Sequence, residues 1–446
     1  MHRRERVGVV ILEGGRPLHP VERQMVRVRQ AMTLDVIAKL LTVPEIDAVY
    51  LSTNYPKLAE QAAHLGATVV PEEEPWHFGS CLQQVINASG LDGVIYIGGA
   101  SSPLLTSDEF RDIAQQLRSR KALVLTNNPQ SSDIVAFTPA AAINQIDLPD
   151  NDNVLATLLR NQAGLERVLL PHSVGVHFDV DTPSDVLVLA LSPKTGPRTR
   201  QVLEELDWDR SRVQRALQLL NSPQSRVLLA GRVNPWTMSH VGMICRCRLR
   251  VISEERGMRA MGRADRGEVH SLFGFLLQQL GGQGLVDYIC SIADAAFIDT
   301  RVVFAHLHLD LTEGQRFASD LGQVDQMPDR LFAEFAQAAW AAPIPIILGG
   351  HSLVSGSMWS LVDTLRYQVG EERLPAEYQV VQVGPGHPWV GQLHHRLVTA
   401  GLVPGELIAW RLHGRLNPRP RPDLSIETGM SLYYRFLPGQ PEIATL

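Results

Sequence analysis

The stretch that most constrains the fold is Val7–Arg16, which reads VGVVILEGGR. An apolar, mostly β-branched run that ends at a glycine pair predicts a short strand buried on both faces, as in the centre of a parallel sheet. In open α/β sheets, ligands bind at the carboxyl ends of the strands, where glycines let the backbone approach a phosphate closely. The same ten residues are equally typical of a strand that ends in a plain flexible turn.

The pattern that follows this run alternates helices with strands. Helical spacing over Val21–Leu41 is followed by strand patterns at Ala48–Ser52 and Ala67–Val70, with a helix at Lys57–Leu65 between them. Gly93–Ile97 is the next apolar run. This alternation predicts an α/β fold with a right-handed, mostly parallel sheet.

Length and composition limit the class of protein. A chain of 446 residues is too long for one ordinary core, which predicts at least two domains. The sequence contains no stretch of about 18 apolar residues and no signal-peptide pattern, so we expect a cytoplasmic protein without a membrane partner. A net charge of −6 argues against a nucleic-acid binder. The four cysteines, at positions 81, 245, 247 and 290, favour reduced thiols over a zinc site.

A break in the apolar pattern suggests where the domains divide. Ser192–Arg200 is rich in proline, glycine and basic residues, which is typical of a linker. We therefore predict a first domain at residues 1–195, a linker with a bridging helix at 196–224, and a second α/β domain at 225–446. Several strands of this second domain also run into glycine-containing polar turns, which predicts a second ligand crevice.

Two further segments of the first domain carry polar residues to a predicted strand end. The strand at Gly93–Ile97 runs into Gly98, Gly99 and Ser101. A later segment reads FDVDTPSD, and on a strand its Asp179 and Asp181 would lie on one side. An ordinary helix cap at Thr182 would explain part of this segment, but it would leave Asp179 without a role.

The order of these motifs, strand–GG–R, strand–GGxxSPLLT and FDVDTPSD, is similar to that of the nucleotidyltransferases of the molybdenum-cofactor guanylyltransferase (MobA-like) type. The resemblance covers about residues 7–195. It implies a Rossmann-like (GT-A-like) nucleotide-diphospho-sugar transferase sheet and a reaction that uses an NTP and Mg²⁺. In such a reaction an anionic small-molecule acceptor attacks the α-phosphate, and pyrophosphate leaves.

The resemblance also implies roles for individual residues. Arg16, Asp179 and Asp181 would be catalytic, and the two aspartates would hold Mg²⁺. The nucleotide would contact the loops after the first and middle strands, at Leu12, Glu13, Gly14, Gly15, Arg16, Gly98, Gly99 and Ser101.

Two departures from the family pattern affect these roles. Glu13 stands where the family usually has alanine, and Ala100 stands where a metal-binding aspartate is expected. Magnesium normally takes one or two carboxylates together with substrate phosphate. Either Asp179 and Asp181 bind the metal with water completing the site, or the domain binds a nucleotide without transferring it and acts as a scaffold.

The second half resembles no family, but it carries charged residues in otherwise apolar surroundings. Guanidinium groups suit phosphate or carboxylate, although a surface ion-pair network is the ordinary alternative. The turn Gly349–Ser352 could hold a phosphate, and a strand at Val302–His308 would place His306, His308 and Asp310 on one side for a metal. The possible second anion site consists of Arg256, Arg259, Arg263, Asp299, Arg301, His306, Arg316 and His351. Chemistry on an anionic substrate at this site is the third functional hypothesis.

Overall fold

The apolar run at Val7 forms β1 inside a mixed sheet of the first half. The computed structural model describes residues 5–72, 75–99, 101–129, 131–370, 378–382, 407–412, 415–417 and 431–435, with side chains up to residue 367. In the described chain this sheet has the strand order β3-β2-β1-β4-β6-β5-β7. Its strands are β1 (Val7–Leu12), β2 (Ala48–Thr53), β3 (Thr68–Pro71), β4 (Gly93–Gly98), β5 (Leu123–Thr126), β6 (Ile134–Thr138) and β7 (Glu166–Leu169).

Most neighbouring strands of this sheet are parallel, and β6 is antiparallel to both β4 and β5. Alternate residues of β1 pack on opposite faces. Val9 and Ile11 belong to one buried cluster, whereas Val10 belongs to another that includes Phe78 and Leu82. The sequence therefore correctly predicted a strand buried on both faces, in an α/β fold with a mainly parallel sheet.

Helices connect and cover these strands. The first, α1, begins where His19 and Glu22 form a capping box around Pro20, a residue that suits the first helical turn. The helices up to the second sheet are α1 (Pro20–Leu40), α2 (Pro56–Leu65), α3 (Phe78–Ser89), α4 (Ser107–Ser119), α5 (Leu155–Asn161), α6 (Val174–His177), α7 (Pro183–Leu189), α8 (Pro197–Glu205) and α9 (Ser211–Leu220). Short 3-10 helices lie at Ala140–Gln145 and Asp152–Val154.

The prediction of a strand leading to Asp179 and Asp181 was wrong. Val174–His177 is the short helix α6, and Asp179 makes only an isolated antiparallel bridge with Ser101. Gly175 lies so close to the Leu105 backbone that an added Cβ would be 2.6 Å from Leu105 Cα. The helical turn therefore packs tightly on this loop, and the acidic residues reach the sheet edge from a loop.

The second half contains a smaller parallel sheet with the order β11-β10-β8-β9. Its strands are β8 (Arg226–Gly231), β9 (Arg248–Ser253), β10 (Ala295–Asp299) and β11 (Ile346–Gly349). The associated helices are α10 (Pro235–Ile244), α11 (Leu272–Ile292), α12 (Thr300–His306), α13 (Glu313–Asp320), α14 (Arg330–Ala341) and α15 (Gly356–Gly370), with a 3-10 helix at Ser352–Val354. Phe332 and Phe335 of α14 pack with β10 and β11 in its core.

The two sheets belong to one compact unit, Met1–Leu170 with Val174–Asp363. Ser184 Oγ, at the start of α7, donates to the Leu348 carbonyl of β11 at 2.5 Å. Arg212 of α9 donates to backbone carbonyls at the end of α14 and just beyond it. The boundary near residue 195 stays a prediction, and α8 and α9 occupy most of the segment that we expected to be a linker.

The second compact unit consists of Pro171–Ser173 and Thr364–Leu446. Its described strands form an antiparallel sheet with the order β12-β15-β13-β14. These strands are β12 (Tyr378–Gln382), β13 (Leu407–Leu412), β14 (Arg415–Asn417) and β15 (Ser431–Arg435). Within the described residues, no helix has both the length and the apolar composition needed to cross a bilayer.

The second half packs closely on residues 178–185, which we name the acidic segment, and a substitution at Gly356 tests this packing. An added Cβ would overlap with the His177 carbonyl oxygen and lie 2.8 Å from Phe178 Cα, both of them backbone atoms. Because overpacking of this kind costs about 1–3 kcal/mol, we expect Gly356→Ala to lower the free energy of unfolding by that amount in urea denaturation.

The matched control is Gly242→Ala in α10, where the added Cβ would meet only Leu249 Cδ1, at 3.8 Å. Replacing a helical glycine with alanine should leave stability unchanged or raise it by about 1 kcal/mol. Equal stabilities of the two variants would contradict the close approach at Gly356.

Candidate functional site

The loop after β1 lies at the carboxyl edge of the first sheet and is attached to the end of β2. The backbone N–H of Gly15 donates to Asn54 Oδ1 at 3.1 Å, and Asn54 Nδ2 donates back to the Gly15 carbonyl at 3.1 Å. Gly15 has a φ of 147°, which favours glycine, and a Cβ on Gly14 would be 2.6 Å from Glu72 Oε1. The side chain of Arg16 is exposed beyond this turn.

Glu13 is buried at the same edge and pairs with Arg29 of α1. Arg29 Nε lies 3.2 Å from Glu13 Oε1, and Glu13 is only 4% exposed. Burial raises the pKa of Glu13, although the charge of Arg29 opposes this rise. A Cβ on Gly99 would lie 2.6 Å from Glu13 Cβ, so the Glu13 side chain covers the loop after β4. The charge of Glu13, the residue that stands where alanine was expected, is therefore compensated by Arg29.

The loops after β1 and β4 meet the acidic segment at this edge. Gly99 N donates to the Leu12 carbonyl at 3.0 Å, and Ser101 N donates to the Gly98 carbonyl at 3.0 Å. Ser101 in turn makes the bridge with Asp179. Three segments that are far apart in the chain therefore converge where parallel strands end, which is where α/β proteins bind ligands. Ala100 lies outside the described residues.

The two predicted metal ligands differ in their surroundings. Asp179 is half-buried, and its Oδ1 accepts a hydrogen bond from Ser352 Oγ at 2.6 Å. Burial and the charges of Asp181 and Asp133 hold the pKa of Asp179 well above its usual range. Asp181 is exposed, and its backbone N–H donates to Asp185 Oδ2 at 3.2 Å.

Two further acids belong to this edge and were missed in the sequence. Asp133, just before β6, accepts a hydrogen bond from Asn127 Nδ2 at 3.0 Å, and Asp152 accepts one from Tyr96 Oη at 3.0 Å. Burial, with the charges of Asp152 and Asp181, raises the pKa of Asp133 to about 7. The signal available in the sequence was the polar turn before β6, where Asp133 directly precedes an apolar strand. We name Asp133, Asp152, Asp179 and Asp181 the acidic edge.

The last acid of the FDVDTPSD segment has a structural role. Thr182 caps α7, and its backbone N–H and hydroxyl both donate to Asp185 Oδ2 at 2.8 Å. Ser357 Oγ donates to the other oxygen of Asp185 at 2.7 Å. Capping therefore explains Thr182 and Asp185, whereas Asp179 and Asp181 remain available for another function.

The donor atoms of the acidic edge suit a hard cation. Carboxylate oxygens are the ligands that Mg²⁺ prefers, and mutual repulsion among clustered acids favours a cation between them. Among the described residues, however, no three histidine, cysteine or acidic side chains are grouped closely enough to hold a metal by themselves. The arrangement fits a site in which one or two carboxylates act together with substrate phosphate and water, and it does not fit an all-protein cage.

The carboxyl edge of the second sheet carries a different set of charges. Asp299, at the end of β10, accepts hydrogen bonds from Arg232 Nε at 2.6 Å and Nη2 at 3.0 Å. Arg301 makes a bidentate pair with Asp320, both contacts at 2.6 Å, and both side chains are buried. The predicted residues Asp299 and Arg301 thus lie together, and their partners Arg232 and Asp320 complete two ion pairs.

Four other predicted residues lie near these pairs. His351 follows β11, and burial with the charges of Arg232 and Arg256 lowers its pKa to about 4. Burial, with the charges of Arg301 and Arg259, lowers the pKa of Arg316. Arg256 and Arg259 are exposed in the loop after β9.

Two other members of the predicted anion site are engaged elsewhere. Arg263 pairs with Glu255 at 2.9 Å, as in a surface ion-pair network. The prediction of a strand at Val302–His308 was wrong, because Thr300–His306 is α12, whose first turn is capped by Asp299. His306 Nδ1 accepts a hydrogen bond from Ser271 N at 3.2 Å. His308 lies beyond the end of α12 and has a φ of 53°, so His306 and His308 do not share the face that strand alternation would give them.

No family model and no curated protein matches the chain. Solved structures similar to it include a cytidylyltransferase from Leptospira borgpetersenii, at 15% identity and a TM-score of 0.34, covering 45% of this chain and 93% of that one. Another is 4-diphosphocytidyl-2C-methyl-D-erythritol synthase from Anaerococcus prevotii, at 12% identity and a TM-score of 0.32, covering 41% and 92%. A third is CMP:2-keto-3-deoxy-manno-octonic acid synthetase complexed with CTP, at 14% identity and a TM-score of 0.28, covering 37% and 90%.

These similarities are too low to assign an activity to this chain. The fold assignment rests on the strand order and directions of the two parallel-dominated sheets.

The raised pKa of Asp133 makes stability depend on pH. Between about pH 4 and pH 7 the folded chain keeps a proton that the unfolded chain has lost, so Asp133 lowers the free energy of unfolding as pH rises. We expect Asp133→Asn to match the wild type near pH 4 and to be more stable by about 1–3 kcal/mol at pH 8, in denaturation without Mg²⁺. The exposed acid Asp207 provides the control, since Asp207→Asn should change little at either pH. A destabilised Asp133→Asn at pH 8 would refute the repulsion among these acids.

Proposed function

We propose that the chain is a nucleotidyltransferase that transfers NMP from an NTP to an anionic small molecule, with release of pyrophosphate. The observation that supports this most directly is that the end of β1, the residues Gly98, Gly99 and Ser101, and Asp179 converge at one sheet edge. Within this class, the motif order favours the molybdenum-cofactor guanylyltransferase type.

The proposed roles follow from the chemistry of phosphoryl transfer. The reaction depends on positioning and charge neutralisation more than on a nucleophilic side chain. The glycines at 14 and 15 would let the backbone approach the nucleotide, and Arg16 is an exposed cation beside them. Asp179 and Asp181 would hold Mg²⁺, which neutralises the phosphate charge when bound. Ser352 orients Asp179 through their hydrogen bond.

Thermal stability in the presence of nucleotides tests this proposal. A ligand that binds only the folded state stabilises it by about 2.7 kcal/mol at a hundredfold excess over its Kd. We expect one of ATP, GTP, CTP and UTP to raise the Tm, and Mg²⁺ to increase this rise. Asp181→Asn should abolish the Mg²⁺-dependent part and leave the Tm without ligand nearly unchanged, because Asp181 is exposed.

The exposed acid Asp207 again provides the control, and Asp207→Asn should keep the full response. A wild type that responds to none of the four nucleotides, or an Asp181→Asn variant that responds as fully as the wild type, would contradict the proposed nucleotide site.

A second candidate function is favoured by the contacts of the acidic segment with the second half. Asp179 and Asp185 accept hydrogen bonds from Ser352 and Ser357, so the segment also joins the two sheets. In this case the first half is a nucleotide-binding or scaffolding module without turnover, as the alanine at position 100 also indicates.

Restoring an acid at position 100 distinguishes the two candidates. A transferase limited by its missing ligand should bind Mg²⁺ more tightly as Ala100→Asp, since a further carboxylate would be available to the cation. Isothermal titration with Mg²⁺ in the presence of the stabilising nucleotide measures this change. The isosteric Ala100→Asn lacks the charge and serves as the control. An unchanged Mg²⁺ affinity in Ala100→Asp would favour the scaffold.

A further inference from the structure

Each of the four parallel strands of the second sheet has a charged or titratable residue at its carboxyl end or within three residues of it. Arg232 follows β8, Arg256 follows β9, Asp299 ends β10 and His351 follows β11. Because parallel strands present their carboxyl ends at one edge, these groups meet there with Arg301, whose Nη1 lies 3.4 Å from the Gly349 carbonyl.

The charges at this edge do not balance. Arg232 is neutralised by Asp299, and Arg301 is neutralised by Asp320. Three other cations, Arg256, Arg259 and Arg316, form no ion pair with any described residue. Arg256 lies within electrostatic range of His351, and both Arg259 and the paired Arg301 lie within range of Arg316. Glu313 also lies within electrostatic range of Arg316, so the edge carries an excess of up to two positive charges.

Of these three arginines, Arg316 is the one whose charge costs the most free energy to bury. It lies half-buried in α13, and its Nε is shielded from solvent without a hydrogen-bond partner among the described residues. Burying a cation without a partner costs free energy, and nearby like charges increase that cost. An anion bound beside Arg316 would remove both penalties.

We propose that this edge is a binding site for the phosphate group of a small molecule, held by Arg316, Arg259 and Arg256. A phosphate of charge near −2 neutralises three guanidinium groups more fully than one carboxylate does, and the planar guanidinium fork matches phosphate oxygens. His351 is neutral at physiological pH, so its ring can donate one hydrogen bond without adding charge.

The site is next to the acidic edge but separate from it. Two consecutive residues of one turn contact different edges. His351 lies within electrostatic range of Arg232 at the second sheet, and Ser352 donates a hydrogen bond to Asp179 at the first. The phosphate site depends only on side chains of the second half. A failure of the proposed nucleotidyl transfer would therefore leave the proposed phosphate site untouched, and the reverse also holds.

Binding of inorganic phosphate to the full chain tests the site by isothermal titration. We expect wild type to bind phosphate, and Arg256→Gln/Arg259→Gln to bind at least about tenfold more weakly, the factor that one charge-assisted hydrogen bond supplies. Sodium acetate at the same ionic strength should bind more weakly than phosphate. The matched control is Arg266→Gln in the same loop, because Arg266 is already paired with Glu268 at 2.9 Å.

Arg316→Met separates a binding role from a structural one. We expect it to lose phosphate binding while its Tm without phosphate stays at or above that of wild type, because the variant removes a half-buried guanidinium whose Nε has no hydrogen-bond partner among the described residues. No phosphate binding by wild type, equal losses in Arg266→Gln and the double variant, or full phosphate binding by Arg316→Met would each overturn the proposal.

Discussion

Hydrogen bonds between the segment at 179–185 and the segment at 348–357 join the two sheets of the first compact unit. Ser352 binds Asp179, Ser357 binds Asp185, and Ser184 binds the Leu348 carbonyl. Buried carboxylates are costly unless hydrogen bonds satisfy them, and here one donor to each of Asp179 and Asp185 comes from the other half of the chain. The same contacts fix the position of Asp179 at the edge of the first sheet. Stability of the unit and geometry of the candidate site therefore share one set of contacts.

The two sheet edges have opposite electrostatic character. The first gathers acids whose pKa values are raised by burial and mutual repulsion, as at Asp133 and Asp179. The second gathers guanidinium groups, some neutralised by buried acids and some not. Acids of this kind favour a cation that accompanies a nucleotide, and the guanidinium groups favour an anion directly. A single turn, at 349–352, lies between the two environments, so the two proposed sites would be neighbours.

Local sequence patterns predicted most of the helices and strands. Which side chains meet at the candidate sites depends on contacts between residues that are far apart in the chain. The apolar run and glycines at Val7–Arg16 fold as expected because β-branched residues suit a buried strand. Asp133 was missed because an antiparallel strand brings it to Asp179, which no local pattern reveals. Arg232 was missed because its partner Asp299 is 67 residues away. His306 was misassigned because a short apolar run after a strand suits either a strand or a helix, and the Asp299 cap decides for the helix.

The most direct measurement is anomalous diffraction from crystals grown with Mn²⁺ and the nucleotide that stabilises the chain. Mn²⁺ takes the oxygen ligands that Mg²⁺ prefers. Its anomalous signal gives the position of the ion directly, whatever the electron density of the nearby side chains shows. The account predicts a peak between the carboxylates of Asp179 and Asp181, with the nucleotide phosphates against Gly14–Arg16. A peak away from the acidic edge, or nucleotide phosphates bound instead by Arg256 and Arg259, would contradict it.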